Sequence, residues 1–266
     1  MVALHIDILT LFPDSIRAVM GESILGRAQK NDIIRIEPHQ IRDYTKNRQM
    51  QVDDYPYGGG QGMLMQVQPL YDCWADVCRE AGEKLHTIFL SAAGKRFTQA
   101  DAIRLKNDYD RFILVCGHYE GVDERFLEEC VDEEISVGDF VLTGGELPAM
   151  TVADAVCRLV PGVLADESCF QDESHYSGLL EYPQYSRPEN WHGMHVPPVL
   201  LSGNHGAIAR WRRKEALRRT LLRRPDMLEA FSPDKTDRKL LEEVRAELAE
   251  ETEENEAEPK GDPGHL

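Results

Sequence analysis

The fold of this chain is decided by two neighbouring stretches, CGHYEGVDER at residues 116–125 and SVGDFVLTGGELP at residues 136–148. An apolar run from Phe112 to Val115 precedes the first stretch and has the composition of a buried strand. The second stretch follows a similar run and ends in Gly144-Gly145-Glu146. Glycine-broken loops beside apolar strands let backbone N–H and C=O groups approach a planar polar ligand. Together they predict a small-molecule site.

Outward from these loops, apolar strand-like runs alternate with helical patterns over the first 160 residues. We expect strands near residues 6–9, 33–36, 86–90, 111–115 and 134–137, and helices near residues 13–30, 69–80, 98–105, 122–130 and 146–159. Residues 43–62 are polar and glycine-rich and are expected to form a long loop. This alternation predicts an α/β fold, with a mostly parallel sheet covered by helices on both faces.

The rest of the chain has a different organisation. Residues 162–190 have little periodicity and several turn formers, which predicts a flexible linker. Helices are expected at residues 205–224 and 239–250, within a small α-helical domain that spans residues 191–250. The acidic, proline-containing tail at residues 251–266 is expected to be disordered. The predicted first domain is therefore residues 1–161.

Composition limits the classes of protein to consider. No stretch approaches the roughly 20 apolar residues of a membrane span, and the first ten residues have the pattern of a strand rather than of a signal peptide. Six cysteines without a CxxC pair indicate reduced thiols and a cytoplasmic protein. His192 and His195 have no nearby cysteine or acid to complete a zinc site, so we expect no metal centre.

Charge is distributed unevenly along the chain. The formal net charge is −17, but residues 242–266 carry ten acids against two basic residues, while residues 205–226 carry eight basic residues against two acids. The eight are Arg210, Arg212, Arg213, Lys214, Arg218, Arg219, Arg223 and Arg224. Because screening makes the local field decisive, a basic segment with few acids to pair it favours RNA contact over an ordinary solvated helix.

Several further motifs, in this order and spacing, carry a family resemblance. They are DDYPYGGGQGM at 53–63, GLLEYPQYSRP at 178–188, VLLSGNH at 199–205 and RTLLRRP at 219–225. With the two opening stretches, they resemble the bacterial tRNA (guanine-N1)-methyltransferases of the SPOUT class. The resemblance implies a deep trefoil knot between about residues 89 and 147, S-adenosylmethionine as cofactor, loosely held Mg²⁺, and a homodimer with a shared active site.

The resemblance also implies where the methyl donor binds. No GxGxxG follows a strand, which disfavours a Rossmann-type site. The implied donor residues are Phe89, Leu90, Ser91, Gly117, Tyr119, Glu120, Ser136, Val137, Gly138, Asp139, Phe140, Val141, Leu142, Gly144, Gly145 and Pro148. The chain departs from the family at Ala92-Ala93, where relatives carry Pro-Gln, and at His118, where many carry arginine; a softer loop at Ala92-Ala93 could weaken donor binding.

Methylation of guanine N1 needs a group that accepts the N1 proton and a cation that stabilises charge at O6. The resemblance assigns the cation to Arg158 and the base to Glu173, with its neighbour Asp172 as the alternative. Both acids could instead be solvated loop residues. Glu120 could face the methionine part of the donor, orient the target base, or pair with Arg125.

The tRNA-facing residues implied by the resemblance and by the basic segment are Asp53, Asp54, Gly59, Asn204, His205, Arg210, Arg213 and Lys214. The leading expectation is methylation of guanosine at tRNA position 37, with guanosine preferred at position 36. Two alternatives remain: a SPOUT methyltransferase acting on ribosomal RNA or another tRNA position, and a noncatalytic RNA-binding protein. The basic helix and the linker acids argue against the first.

Overall fold

A computed structural model describes residues 2–165 and 173–257 of the chain. The chain divides into two compact units, Met1–Cys169 and Phe170–Leu266. The strands of the first unit are β1 (Leu4–Thr10), β2 (Ile34–Gln40), β3 (Asp53–Asp54), β4 (Leu64–Met65), β5 (His86–Arg96), β6 (Arg111–Cys116) and β7 (Glu133–Ser136). Its helices are α1 (Pro13–Met20), α2 (Ser23–Lys30), α3 (Val67–Ala81), α4 (Gln99–Asp108), α5 (Glu124–Cys130) and α6 (Glu146–Cys157), with a 3-10 turn at Ile41–Tyr44.

The first unit is built on a five-stranded sheet in the order β2-β1-β6-β5-β7, and all four neighbouring pairs are parallel. Helices α3 and α5 pack on one face, where Leu9, Ile113 and Val115 join Leu70 and Phe126 in a buried cluster. Helix α6 packs against β1 and β6. The predicted α/β fold with a mostly parallel sheet is confirmed. The trefoil knot stays a prediction from the resemblance.

Several elements of the first unit differ from the predicted boundaries: β2 runs to Gln40, past its expected end at residue 36, the expected loop at 43–62 contains β3, and two further elements differ for reasons that the structure shows. The helix predicted over residues 13–30 is two helices, α1 and α2, that meet at Gly21. A Cβ on Gly26 would lie 2.0 Å from the Gly21 carbonyl oxygen, so this tight bend requires glycine. Strand β5 continues past its expected end at Leu90, because its pairing with β7 shifts register between Leu90 and Lys95.

The second unit is mainly helical. It contains the hairpin β8 (Asn190–Trp191) and β9 (Met194–His195), followed by α7 (Pro198–Leu201), α8 (His205–Arg223), α9 (Pro225–Ala230) and α10 (Lys235–Ala257). Its core consists of Leu179, Ala216, Leu217, Leu240 and Leu241. The long helix expected near residues 205–224 is present as α8, and α10 packs along it. The predicted small helical C-terminal part of the fold is therefore confirmed.

The predicted linker differs from the structure over its second half. Leu179 is only 1% exposed within the core of the second unit, and the Leu180 N–H donates to the Thr220 hydroxyl at 2.8 Å. Residues 173–190 therefore belong to the helical unit, because a buried leucine and a backbone hydrogen bond fix them to α8. Residues 166–172 of the predicted linker lie outside the described residues.

The predicted disordered tail also differs in its first part. Helix α10 continues through Ala257, seven residues into the tail, and Arg218 donates to Glu251 at 3.1 Å. Pairing with α8 explains why the helix does not end at Glu250. Residues 258–266 lie outside the described residues.

Two general features complete the fold. Within residues 2–165 and 173–257, no helix is both long enough and apolar enough to cross a membrane. Five cysteines are buried as free thiols, and burial raises the pKa of Cys130 to about 11. Cys169 lies outside the described residues.

Candidate active site

A cavity of about 610 Å³ lies where β6 and β7 end and where β5 shifts register against β7. Three chain segments line it, namely residues 89–93, 117–127 and 134–148. Of the sixteen residues expected at the donor site, fifteen line this cavity: Phe89, Leu90, Ser91, Gly117, Tyr119, Glu120, Ser136, Val137, Gly138, Phe140, Val141, Leu142, Gly144, Gly145 and Pro148. The sixteenth, Asp139, forms an ion pair with Arg96.

The loop after β6 is held by close backbone packing. The Gly145 N–H donates to the Gly117 carbonyl at 2.9 Å. A Cβ on Gly145 would lie 2.6 Å from Cys116 Cα, and a Cβ on Gly117 would lie 2.8 Å from the Phe89 ring. Any larger residue must displace backbone or a buried ring. The two opening motifs are therefore joined to each other, and their glycines form one wall of the cavity.

The loop after β7 has a tight turn and an exposed apolar tip. The Ser136 hydroxyl donates to the Gly138 carbonyl at 2.9 Å, and the Phe140 N–H donates to the same oxygen at 2.9 Å. Beyond the turn, Phe140 is 57% exposed and Val141 is 85% exposed. Apolar side chains at the rim of a cavity provide a surface on which a flat ligand can pack.

Glu120 lies on the cavity beside the glycine-rich loop at residues 58–62. Its N–H donates to the Met63 carbonyl at 3.0 Å, and a Cβ on Gly62 would lie 2.4 Å from its Oε1. The expected alternative, an ion pair between Glu120 and Arg125, is absent between these two residues in the structure. Arg125 donates instead to both carboxylate oxygens of Asp123, at 2.8 and 2.7 Å, because Asp123 caps the same helix. This leaves the Glu120 carboxylate beside the cavity.

A polar group with no role expected from the sequence lies next to His118, a lining residue of the same cavity. Thr10 donates to Oε1 of the buried Glu146 at 2.8 Å, and Oε2 of Glu146 lies 3.8 Å from Nδ1 of His118. That buried ring nitrogen has no hydrogen-bond partner among the described residues. The GGE ending of the second motif marks Glu146, but its pairing with Thr10 spans 136 residues and could not be seen in the sequence.

The expected catalytic residues lie in different units. Arg158 follows α6 in the first unit, where its N–H donates to the Asp154 carbonyl at 3.1 Å. Glu173 is the first described residue of the second unit, and Asp172 lies outside the described residues. Both Arg158 and Glu173 are half-buried. Their catalytic roles stay predictions.

The basic residues of α8 are paired to a greater extent than the sequence suggested. Ion pairs join Arg210 to Glu243 at 2.6 Å, Arg213 to Asp237 at 2.7 Å, Arg218 to Glu251 at 3.1 Å, and Lys214 to Glu247. The expectation of few pairing acids was wrong, because the acids come from α10 and not from the segment itself. Hydrogen bonds from Arg213 hold the pKa of the Asp237 carboxyl below its usual range.

The remaining expected tRNA-facing residues have mixed environments. Asn204 caps α8, and its side chain accepts from the Ala207 N–H at 3.1 Å. His205 is exposed at the start of that helix. Asp53 and Asp54 form β3, which pairs with β4, and Gly59 has a positive φ of 81° with open space where a Cβ would stand. Asp54 and Gly59 are exposed, and Asp53 is half-buried.

One group of described residues, His5, Asp7 and Glu37, offers three possible metal-ligand atoms within 4.8 Å of one another. Arg111 donates to Asp7 at 2.7 and 3.2 Å, and His39 lies 2.7 Å from it. Burial opposes ionisation of Asp7, but these hydrogen bonds outweigh it and keep its pKa below the usual value. An arginine on the carboxylate makes this group a buried ion-pair network and a poor Mg²⁺ cage.

Comparison with known proteins agrees with these motifs. The profile of the family described as tRNA (Guanine-1)-methyltransferase TrmD matches residues 4–230. A tRNA (guanine-N(1)-)-methyltransferase of Ruminiclostridium cellulolyticum is 53% identical, with 83% of this chain and 94% of the relative covered. Proteins of the same name from Dehalococcoides mccartyi and Bacillus cereus are 52% and 48% identical, each over 92% of this chain and 98% and 100% of the relative. The chain therefore belongs to the tRNA (guanine-1)-methyltransferase family.

Proposed function

We propose that this protein transfers a methyl group from S-adenosylmethionine to N1 of guanosine at tRNA position 37, with guanosine preferred at position 36. The observation that carries the proposal is the cavity at the ends of β6 and β7, lined by fifteen of the sixteen residues expected for the donor. Membership of the tRNA (guanine-1)-methyltransferase family supports the reaction class. The preferred position in the tRNA rests on the resemblance.

The residues of the cavity fit the proposed donor. Its volume of about 610 Å³ lies within the usual range for small-ligand sites. Leu90, Val137 and Leu142 offer apolar surface to an adenine ring, while loop N–H and C=O groups can bond its polar edge. The Glu120 carboxylate suits the cationic methionine portion. S-adenosylmethionine supplies an electrophilic methyl group on a sulfonium. The protein must supply the groups that bind the two substrates and activate the guanine.

The chain must activate the guanine for attack. A carboxylate that accepts the N1 proton raises the nucleophilicity of that nitrogen, and we assign this role to Glu173, with Asp172 as the alternative. A guanidinium near O6 stabilises the negative charge that develops there, and we assign this role to Arg158. Glu173 belongs to the helical unit and Arg158 to the first unit, so the proposal takes one catalytic group from each kind of unit.

Several further properties belong to the same proposal. The first unit holds the donor, the helical unit contacts tRNA, and two copies form a homodimer whose active site takes residues from both. Asp53, Asp54 and Gly59 are accessible to tRNA. Loosely held Mg²⁺ belongs to the proposal on the resemblance alone. A protein with this substrate is expected in the cytoplasm.

The proposal is tested by methyl transfer from labelled S-adenosylmethionine to tRNA transcripts that carry guanosine at position 37. Transcripts with guanosine and with adenosine at position 36 are compared for wild type, Glu173→Gln, Asp172→Asn and Arg158→Ala. We expect transfer that needs both guanosines and falls by at least about 100-fold in Arg158→Ala and in one acid variant. Donor binding without transfer to any transcript would contradict the proposal and leave a noncatalytic RNA-binding protein or another RNA target.

A further inference from the structure

A second cavity lies entirely within the helical unit, and none of the eight residues expected to face tRNA lines it. It has a volume of about 660 Å³ and is formed by the segment at residues 182–189 together with the start of α8. Its aromatic residues are Tyr182, Tyr185 and Trp211, and the ring centroids of the last two lie 6.4 Å apart. Tyr185 is 50% exposed. An open cavity with exposed aromatic faces is typical of a ligand site.

The cations of this cavity differ from four other basic residues of α8, Arg210, Arg213, Lys214 and Arg218, which pair with acids of α10. Arg187 and Arg212 line it, and neither forms an ion pair with a carboxylate among the described residues. Arg212 instead lies over the Tyr182 ring, 4.9 Å from its centroid. In a chain of net charge −17, arginines without a carboxylate partner are the groups available to phosphate.

We propose that this cavity binds one unpaired nucleobase of the RNA substrate, stacked on Tyr185 and Trp211, with Arg187 and Arg212 on the adjoining phosphates. The proposal rests on the proposed function, because it gives the RNA a second contact besides the target guanosine. Aromatic faces and arginine planes bind single-stranded bases by stacking and tolerate any base. Glu189 is the one acid among the lining residues, and it pairs with neither arginine. A protein partner is less favoured, because exposed aromatic faces beside cations suit a planar base with its phosphates.

The test measures equilibrium binding of three RNAs to the full chain. They are a tRNA transcript with guanosine at position 37, a single-stranded heptamer of the anticodon-loop sequence, and a perfect duplex. In Tyr185→Ala we expect affinity for the tRNA and the heptamer to fall about tenfold while duplex binding stays unchanged, and Tyr185→Phe should retain the wild-type affinity. Arg212→Gln should reduce the slope of log affinity against log salt by about one.

Matched controls are Trp191→Ala, an exposed aromatic that does not line the cavity, and Arg245→Gln, an exposed arginine of α10. Both should bind all three RNAs as wild type does. Equal affinities for Tyr185→Ala and wild type would overturn the proposal, as would a changed oligomeric mass with unchanged RNA affinity, which would mark a protein contact. Methyl transfer by wild type separates the two claims: transfer together with unchanged RNA affinity in Tyr185→Ala refutes this site alone, whereas no transfer to any transcript refutes the proposed function.

Discussion

The proposed donor cavity of the first unit and the α8–α10 helix pair are built in two different ways. The cavity is made of loops in which glycines allow backbone to meet backbone, as at Gly145 and Cys116. The helix pair is made of long charged side chains joined across two helices, as at Arg210 and Glu243. The first arrangement is rigid and sensitive to one added methyl group, whereas exposed ion pairs contribute little to stability and exchange readily with another anion. The first unit therefore fixes the shape of its cavity closely, whereas the second presents charges that can change partners.

The largest expected effect tests whether the helical unit can be destabilised without loss of donor binding by the first unit. Leu217 is fully buried in the core of the helical unit, so Leu217→Ala should cost about 2–5 kcal/mol of that unit's free energy of unfolding. We expect tRNA affinity to fall and donor affinity to change less than about twofold, because all described residues that line the proposed donor cavity belong to the first unit. Calorimetry with and without S-adenosylmethionine measures both. A parallel loss of donor binding would break the comparison.

The next effect concerns the backbone contact of the donor cavity. A Cβ in Gly145→Ala would lie 2.6 Å from Cys116 Cα, and overpacking of this kind costs about 1–3 kcal/mol of folding free energy. Because the backbone of the cavity wall must shift to relieve it, we expect donor affinity to fall at least about fivefold, the equivalent of about 1 kcal/mol. Titration calorimetry with S-adenosylmethionine measures the loss.

The matched variant for this contact is Gly138→Ala, whose Cβ would meet the ring of the exposed Phe140 and not backbone. Because that ring can move, its effect should be smaller. Gly206→Ala in the helical unit, where the nearest atom lies 3.5 Å away, should leave donor affinity unchanged. Equal losses for Gly145→Ala and Gly206→Ala would contradict the backbone account.

A smaller effect tests the charged helix pair. The double variant Glu243→Gln/Glu247→Gln removes the acids that pair with Arg210 and Lys214. We expect tRNA to bind about three- to tenfold more tightly at low salt, because each released cation gains up to about 1 kcal/mol when a phosphate replaces its partner. Filter binding over a salt series measures this. Glu242→Gln, an exposed neighbour on the same helix, is the control. Unchanged tRNA affinity in the double variant would show that α10 does not compete with RNA.

The smallest effect is a pH dependence in the first unit. Burial lowers the pKa of His5, with Arg111 and Arg35 acting in the same direction against Asp7 and Glu37. Because the pKa of His5 is lower in the folded than in the unfolded protein, this histidine favours the folded state above its unfolded pKa of about 6.5. That contribution is lost as the pH falls through the folded pKa. The melting temperature should therefore fall from pH 7 to pH 5.

A matched pair of variants isolates this dependence. His5→Gln should flatten the pH profile, since one histidine contributes at most about 1.4 kcal/mol per pH unit. His192→Gln alters an exposed histidine of the helical unit and should leave the profile as in wild type. A profile that is the same for His5→Gln and wild type would show that other groups carry the dependence.

The same comparison explains how much the sequence could predict. The loops of the first cavity could be predicted because each is contiguous and its glycines are visible as motifs, and the parallel sheet could be predicted because strand and helix periods alternate locally. The role of these loops as a donor site stays a prediction. The pairing of α8 with α10 was missed, since Arg213 and Asp237 are 24 residues apart and meet only after folding. Likewise, no local pattern reveals Thr10 beside Glu146 or the register shift of β5.

The most direct measurement of the central claim is a crystal structure of the full chain grown with S-adenosylmethionine. We expect electron density for the donor in the cavity of the first unit. The adenine ring should lie between Leu90 and Leu142, with its polar edge hydrogen-bonded to the backbone around Gly117. Density elsewhere in the chain, or a cavity that stays empty at a donor concentration well above Kd, would contradict the claim that these glycine-built loops form the donor site.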